Sequence, residues 1–227
     1  MRSTALASPP PSVQTFPMPE TAFLITAFAT LFVVIDPPGL VPLFIALTRG
    51  MTAERRRAMA RRACLIATVL LTAFGLFGES ILGFIGISMP AFRIAGGILL
   101  FLTALDMLFE RRTQRREGQQ ADPDHDPSVF PLATPLIAGP GAIATMILLV
   151  GQSGPGWQGA AWVIGLLLVM MAVTFAFLLA SPPLERMLGR TGVIVITRLL
   201  GMLLAALSVQ FVLDGIKGTG MISGWAG

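Results

Sequence analysis

Six apolar segments, at about residues 22–47, 63–77, 91–109, 130–150, 161–179 and 193–213, take up most of this 227-residue chain. A membrane crossing by a helix needs roughly 20 consecutive apolar residues. The pattern therefore predicts an all-α integral membrane protein with six transmembrane helices. The second segment is short unless its helix continues past Glu79, and residues 83–89 read as a turn or a short interfacial helix. Charged residues make up 12% of the chain and mean hydropathy is +0.78, whereas a soluble domain carries about 25% charge to face water. The formal net charge of +4 does not point to nucleic acid, because the cations are short arginine clusters between apolar runs and Lys217 is the sole lysine. Cys64 stands alone in an apolar run, which excludes a disulfide framework or a thiolate metal site. Residues 1–19, rich in Pro and Ser without an apolar core, read as a disordered tail and not as a cleaved signal peptide.

The cations also set an orientation. The first connection holds Arg49, Arg55, Arg56, Arg57, Arg61 and Arg62, the third holds Arg111, Arg112, Arg115 and Arg116, and the fifth holds Arg186 and Arg190. These three connections share one side and carry twelve cations, against Arg2 and Lys217 on the other. Positive loops stay in the cytoplasm, so a bacterial-type inner membrane would place both termini on the periplasmic side.

The chain repeats itself. Asp36-Pro37-Pro38-Gly39 resembles Ala138-Gly139-Pro140-Gly141; Glu79, Leu82, Gly83 and Gly86 recur as Glu185, Leu188, Gly189 and Gly192; Arg93 and Gly96 recur as Arg198 and Gly201. The offsets are 102, 106 and 105 residues, so order and spacing agree. Each unit holds three spans, an odd number, and the second copy must enter the membrane from the opposite side. The expected organisation is a tail (1–19), a first repeat (20–109), a charged cytoplasmic loop (110–128) and a second repeat (129–227). Inverted repeats are a frequent build for secondary transporters; duplication for a stable scaffold is the alternative.

Both copies carry a helix breaker at mid-span. Asp36 lies about 21 Å along the first span, near the bilayer centre. Pro37 and Pro38 remove two donors and Gly39 loosens the turn, so the helix is expected to break there, and again at Gly139-Pro140-Gly141. Each following half-helix is expected to start with free N–H groups, a setting for an anion such as a carboxylate. The other reading is a pair of proline kinks without a ligand. Asp36, the one acidic residue in mid-span, must be paired, protonated or in a wet cavity. Proton coupling and capping of the following half-helix are both open to it.

Glu79 with Arg93, and Glu185 with Arg198, flank corresponding turns and could pair within each half, either as tethers or as gates. Small residues at Ala95-Gly96-Gly97 and Gly201 suit close helix packing. The Asp-Pro-Asp-His-Asp-Pro stretch of the third connection reads as a solvated linker, because nothing fixes ligand geometry there. No metal or other cofactor is expected. The one histidine lies in that loop and no hydrolase or zinc-protease signature occurs, so no enzyme is expected either.

Three long stretches, 32–48 (FVVIDPPGLVPLFIALT), 86–101 (GISMPAFRIAGGILLF) and 131–146 (PLATPLIAGPGAIATM), resemble the signature regions of the MarC family, and the likeness runs from about 21 to 216. The resemblance implies a six-span inner-membrane protein. A similar archaeal branch, SnatA, is regarded as transporting small neutral amino acids such as glycine and alanine. Carried over, the breaks at Asp36–Gly39 and Gly139–Gly141 would bind the carboxylate and amine of such a solute. This chain departs from the common pattern in having Asp36 where Asn precedes the first proline; its carboxylate could hold the substrate ammonium or a proton. The partners implied are the lipid bilayer, a small-molecule substrate and a coupling ion, proton or sodium. The oligomeric state does not follow from the sequence. A non-transporting inner-membrane scaffold or stress-linked protein is the alternative function.

Overall fold

The computed structural model describes residues 21–109, 126–154 and 156–220. The tail at 1–19 and most of the loop at 110–128 lie outside them. All elements among the described residues are helical. In chain order they are α1 (Thr21–Ile35), α2 (Pro37–Leu47), α3 (Ala53–Ile85), α4 (Met89–Leu108), α5 (Ser128–Ile137), α6 (Pro140–Gln152), α7 (Trp157–Leu179) and α8 (Ser181–Gly218). Five spans are long and apolar enough to cross a membrane, with α1 and α2 together forming Thr21–Leu47; α5 and α6, bent by 56°, supply a sixth if taken as one crossing.

The second span is not short. α3 has 33 residues, about 50 Å at 1.5 Å per residue. Glu79 does not end it, because the buried stripe Leu71, Gly75, Gly78 and Leu82 continues past that point while Glu79 itself stays exposed. Thr52 opens α3 by accepting from the Arg55 N–H at 3.4 Å. Gly86, at φ 83°, closes it in the left-handed region that glycine enters freely. The last helical run is longer than expected as well. It starts at Ser181, is interrupted at Gly189 (φ 61°, ψ 174°), and crosses from Thr191 onward.

Long faces of these helices are apolar and open: Phe84 is 93% exposed, and Leu65, Val69, Phe77, Leu168 and Leu203 are all above half. A soluble protein could not carry so much apolar surface; here lipid covers it. Inside, Leu31, Ile35, Leu40, Phe44, Leu71, Leu100, Met146, Leu148 and Leu167 form one buried core. α3 packs on α5, α6 and α7, and α4 lies along α8 in the most extensive pairing. That closeness needs glycine, as anticipated for Gly97 and Gly201. A Cβ on Gly97 would stand 2.8 Å from the Ser208 carbonyl oxygen, and one on Gly201 2.9 Å from Met107 Cβ.

Candidate mid-membrane site

The first break is a single residue. Asp36 adopts φ 54°, ψ 64°, a left-handed conformation that Asp tolerates better than most side chains. The ladder hardly stops: the Asp36 N–H donates to the Phe32 carbonyl at 2.9 Å, and the Leu40 N–H donates to the Asp36 carbonyl at 3.2 Å. The carboxylate caps α2, its Oδ1 accepting from the Gly39 N–H at 3.1 Å. Pro37 and Pro38 have no N–H to offer. The start of α2 therefore has no spare donor, contrary to the expectation that both half-helices begin with free N–H groups. Asp36 is wholly buried, as are Pro37 and Pro38, and Gly39 is half-buried. Capping, one of the two roles open to Asp36, is the one its geometry displays.

The second break is longer and of another kind. α5 is irregular throughout: Phe130 (φ −127°, ψ 126°) and Thr134 (φ −132°, ψ 125°) are extended inside it. Each precedes a proline, Pro131 and Pro135, whose ring drives the residue before it out of the helical region. α6 then starts at Pro140 with Gly139 as its cap position and no side chain capping it. The Ile143 N–H reaches the Gly139 carbonyl at 3.0 Å. Among the described residues, neither a carbonyl nor a cap side chain accepts from the Gly141 and Ala142 N–H groups. Those two donors start about 20 Å from the far end of a 13-residue helix, at mid-membrane depth.

The breaks adjoin. A Cβ on Gly141 would lie 3.2 Å from Leu100, 3.6 Å from Thr103 Oγ1 and 3.7 Å from Val34, two residues before Asp36. Thr145, one turn beyond Gly141, is wholly buried and its hydroxyl has no hydrogen-bond partner. By contrast Thr30, Thr48, Thr68, Thr103 and Thr174 each donate to the carbonyl four residues earlier. Sequence reasoning missed Thr145, since only packing distinguishes it from these others.

The flanking charges are not brought together in the expected way. Glu79 is exposed on α3. Arg93 lies on the stripe of α4 that runs from Met89, against Gly151 of α6, to Gly96, against Leu148. It is half-buried, and its Nε is buried without a hydrogen bond. Glu79 and Arg93 form no ion pair with each other. Glu185 and Arg198 are both exposed and share α8, with Gly189 interrupting the helix between them. An ion pair is found elsewhere: Arg62 Nη1 donates to Asp126 Oδ2, joining the start of α3's apolar course to the entry of α5. The Ser128 hydroxyl and N–H, at 2.7 and 2.9 Å, donate to the other carboxylate oxygen. Ser128 first and Arg62 after it hold the Asp126 carboxyl below its ordinary range. Among the described residues no cluster of His, Cys, Asp and Glu is suited to a metal.

With two adjoining helix breaks inside a bundle of five or six candidate crossings in view, comparison with known proteins is decisive. Residues 21–220 match the MarC family of integral membrane proteins. The chain belongs to the MarC family. Its relatives are similar over nearly their whole length. A UPF0056 membrane protein of Methanocaldococcus jannaschii is 40% identical over 203 residues, covering 88% of this chain and 98% of the relative. The UPF0056 membrane protein YvbG of Bacillus subtilis is 40% identical over 203 residues, covering 87% and 95%. The UPF0056 inner membrane protein YhgN of Escherichia coli K12 is 38% identical over 194 residues, covering 86% and 96%. No solved structure matches the chain. As a MarC-family protein it is an integral, multi-pass membrane protein, and the breaks at Asp36 and Gly139 fall within the matched region.

Proposed function

We propose that this MarC-family protein is a secondary, ion-coupled transporter of a small zwitterionic solute, a neutral amino acid, built as two inverted three-helix repeats. The observation that carries the reading is the uncapped start of α6. Two backbone N–H groups stand at mid-membrane with no acceptor, beside the break in the neighbouring span. Irregular backbone at that depth is tolerated only where protein or a cavity takes it in, and such donors suit a carboxylate. The α6 side then holds the carboxylate, while Asp36 and the carbonyls near it face the ammonium or carry a proton.

The packing supports the inverted repeat. With α1 matched to α5, α2 to α6, α3 to α7 and α4 to α8, the contacts fall into exchanged partners. α3 lies on α6 and α7 on α2; α3 lies on α5 and α7 on α1; α2 lies on α8 and α6 on α4. The match is broken at two places, the smaller being that α6 packs on α7 without a comparable contact of α2 with α3. α1 also packs on α6 and α8, but α5 has no comparable contact with α2 or α4. Thr134 and Pro140 are exposed on that side. The proposed solute path therefore runs beside α5 to the arginine-rich face, which the charge distribution assigns to the cytoplasm. The scaffold reading draws on one observation, the complete burial of Asp36 as a cap.

The test is uptake of labelled glycine and alanine into proteoliposomes, with and without a proton gradient. Saturable uptake that is lost in Gly141→Leu, where the side chain would meet Leu100, Thr103 and Val34, supports the site. Asp36→Asn should alter affinity or proton dependence in a transporter and leave a scaffold indifferent. If correctly inserted protein moves neither amino acid under any gradient, this substrate class is wrong.

A further inference from the structure

α3 begins against its own electrostatics. A helix N-terminus carries partial positive charge and favours acidic residues in its first turns. Here Arg55, Arg56, Arg57, Arg61 and Arg62 crowd the first ten residues, relieved on the helix only by Glu54. Arg62 is matched by Asp126; Arg55, Arg57 and Arg61 are exposed and join no carboxylate among the described residues, and the Arg56 Nε is buried without an acceptor there. Concentrated positive charge at the wrong end of a helix calls for an anion, and among the described residues none meets Arg55, Arg57 or Arg61.

The arrangement says which anion. Arg57, Arg61, Leu65 and Val69 follow one another at four-residue steps, a single stripe on the helix surface with about 6 Å between neighbours. All four are exposed, Leu65 at 59% and Val69 at 67%, and Ala73 and Phe77 carry the stripe onward. Side chains lean toward a helix's N-terminus, so the guanidiniums rise toward the aqueous side while the apolar residues lie in the hydrocarbon. Two cations above a continuous apolar track reproduce the profile of a phospholipid, phosphate over acyl chain. We propose that Arg57 and Arg61 clamp the phosphate of an anionic phospholipid, with Arg55 and Arg56 adding field and the Leu65–Val69 stripe seating an acyl chain. This binding does not depend on the transport reading.

The experiment places the full chain in nanodiscs of phosphatidylcholine alone or mixed with phosphatidylglycerol. It reads thermal unfolding, and lipid retained in native mass spectra. Wild type should melt several degrees higher in the anionic discs and retain phosphatidylglycerol. The double variant Arg57→Gln/Arg61→Gln should lose most of that shift and the retained lipid, while Arg57→Lys/Arg61→Lys keeps part of both. Arg111→Gln/Arg112→Gln removes the same charge from the third connection and should behave as wild type. Equal shifts in wild type and the Arg57/Arg61 glutamine variant overturn the proposal. So does an equal loss in the Arg111/Arg112 control, which would mean that net charge alone attracts the lipid.

Discussion

The two breaks lie at matching places in a repeated sequence, yet they are different devices. The first interrupts the helix at one left-handed residue, satisfies the N–H groups of Gly39 and Leu40, and is buried. The second spreads over the irregular α5, bends the chain by 56°, leaves the first donors of α6 without acceptors and exposes Pro140. The surroundings differ in the same sense, since α1 is held by α6, α7 and α8 whereas α5 lies against α3 alone to any extent. The contrast follows from side-chain chemistry. Asp36 brings its own acceptor to the break, whereas Gly139 has no side chain to bring. The first break is pinned, and the second keeps the open donors on which the proposed transport site rests.

The sharpest way to break this comparison is to add one methyl group to each half. A Cβ on Gly39 would stand 2.0 Å from Asp36 Oδ2, so Gly39→Ala must expel the carboxylate from its capping position. Overpacking and cap loss together should cost on the order of 3 kcal/mol, visible as a large drop in melting temperature or in the yield of monodisperse protein in detergent. Melting at the wild-type temperature would mean that the first break is not pinned. The next effect in size is at the acid itself. Asp36→Ala loses the cap and places alanine at positive φ, for a cost of about 2 kcal/mol. Asp36→Asn keeps both an acceptor and tolerance of that conformation, and should stay within about 1 kcal/mol of wild type. Equal destabilisation by the two would show that charge, and not capping, holds the joint.

The second break should respond less. A Cβ on Gly141 meets nothing closer than the tip of Leu100 at 3.2 Å, which can yield by a few tenths of an ångström. Alanine also has the better helix propensity, by about 1 kcal/mol. Gly141→Ala should therefore melt within about 1 kcal/mol of wild type, while uptake in proteoliposomes falls because the added methyl stands beside Thr103 in the proposed site. A variant as unstable as Gly39→Ala would erase the distinction between the halves.

Much of this was legible in the residues. Runs of apolar residues located the crossings, and Pro37-Pro38 and Pro140 located the breaks, because proline acts through local covalent geometry. The irregularity of α5 had its signal too, since Pro131 and Pro135 restrict Phe130 and Thr134. What did not show was anything that depends on which way a side chain faces. Glu79 and Arg93 look like partners by spacing, but Glu79 is exposed on α3 while Arg93 is half-buried on the stripe of α4 that meets α6. Thr145 reads like the threonines that bond their own helix, and only the packed structure leaves its hydroxyl without an acceptor. The end of α3 stays open in the sequence for a related reason: a single exposed Glu79 looks like a possible terminus until the buried stripe is seen to run beneath it.

The smallest expected effect tests how the looser half is held. α5 is fastened at its entry by Asp126, which accepts from Ser128 and Arg62. Its carboxyl is held below the ordinary range, so its contribution is complete above the unfolded value, about 3.9 for an aspartate. That contribution is lost as pH falls through the lower folded value. The side chains are 68% and 40% exposed, and an exposed pair is worth about 0.5 kcal/mol. Protonating Asp126 should therefore hardly change global melting, but amide exchange in α5 should quicken relative to α1 as the carboxyl protonates. Asp126→Asn should exchange at the faster rate at neutral pH and lose most of the acid dependence. If α1 and α5 exchange alike in both proteins, the fastening is not what distinguishes the halves. The difference would then lie in α1's packing on α6 and α8, for which α5 has no comparable contact with α2 and α4.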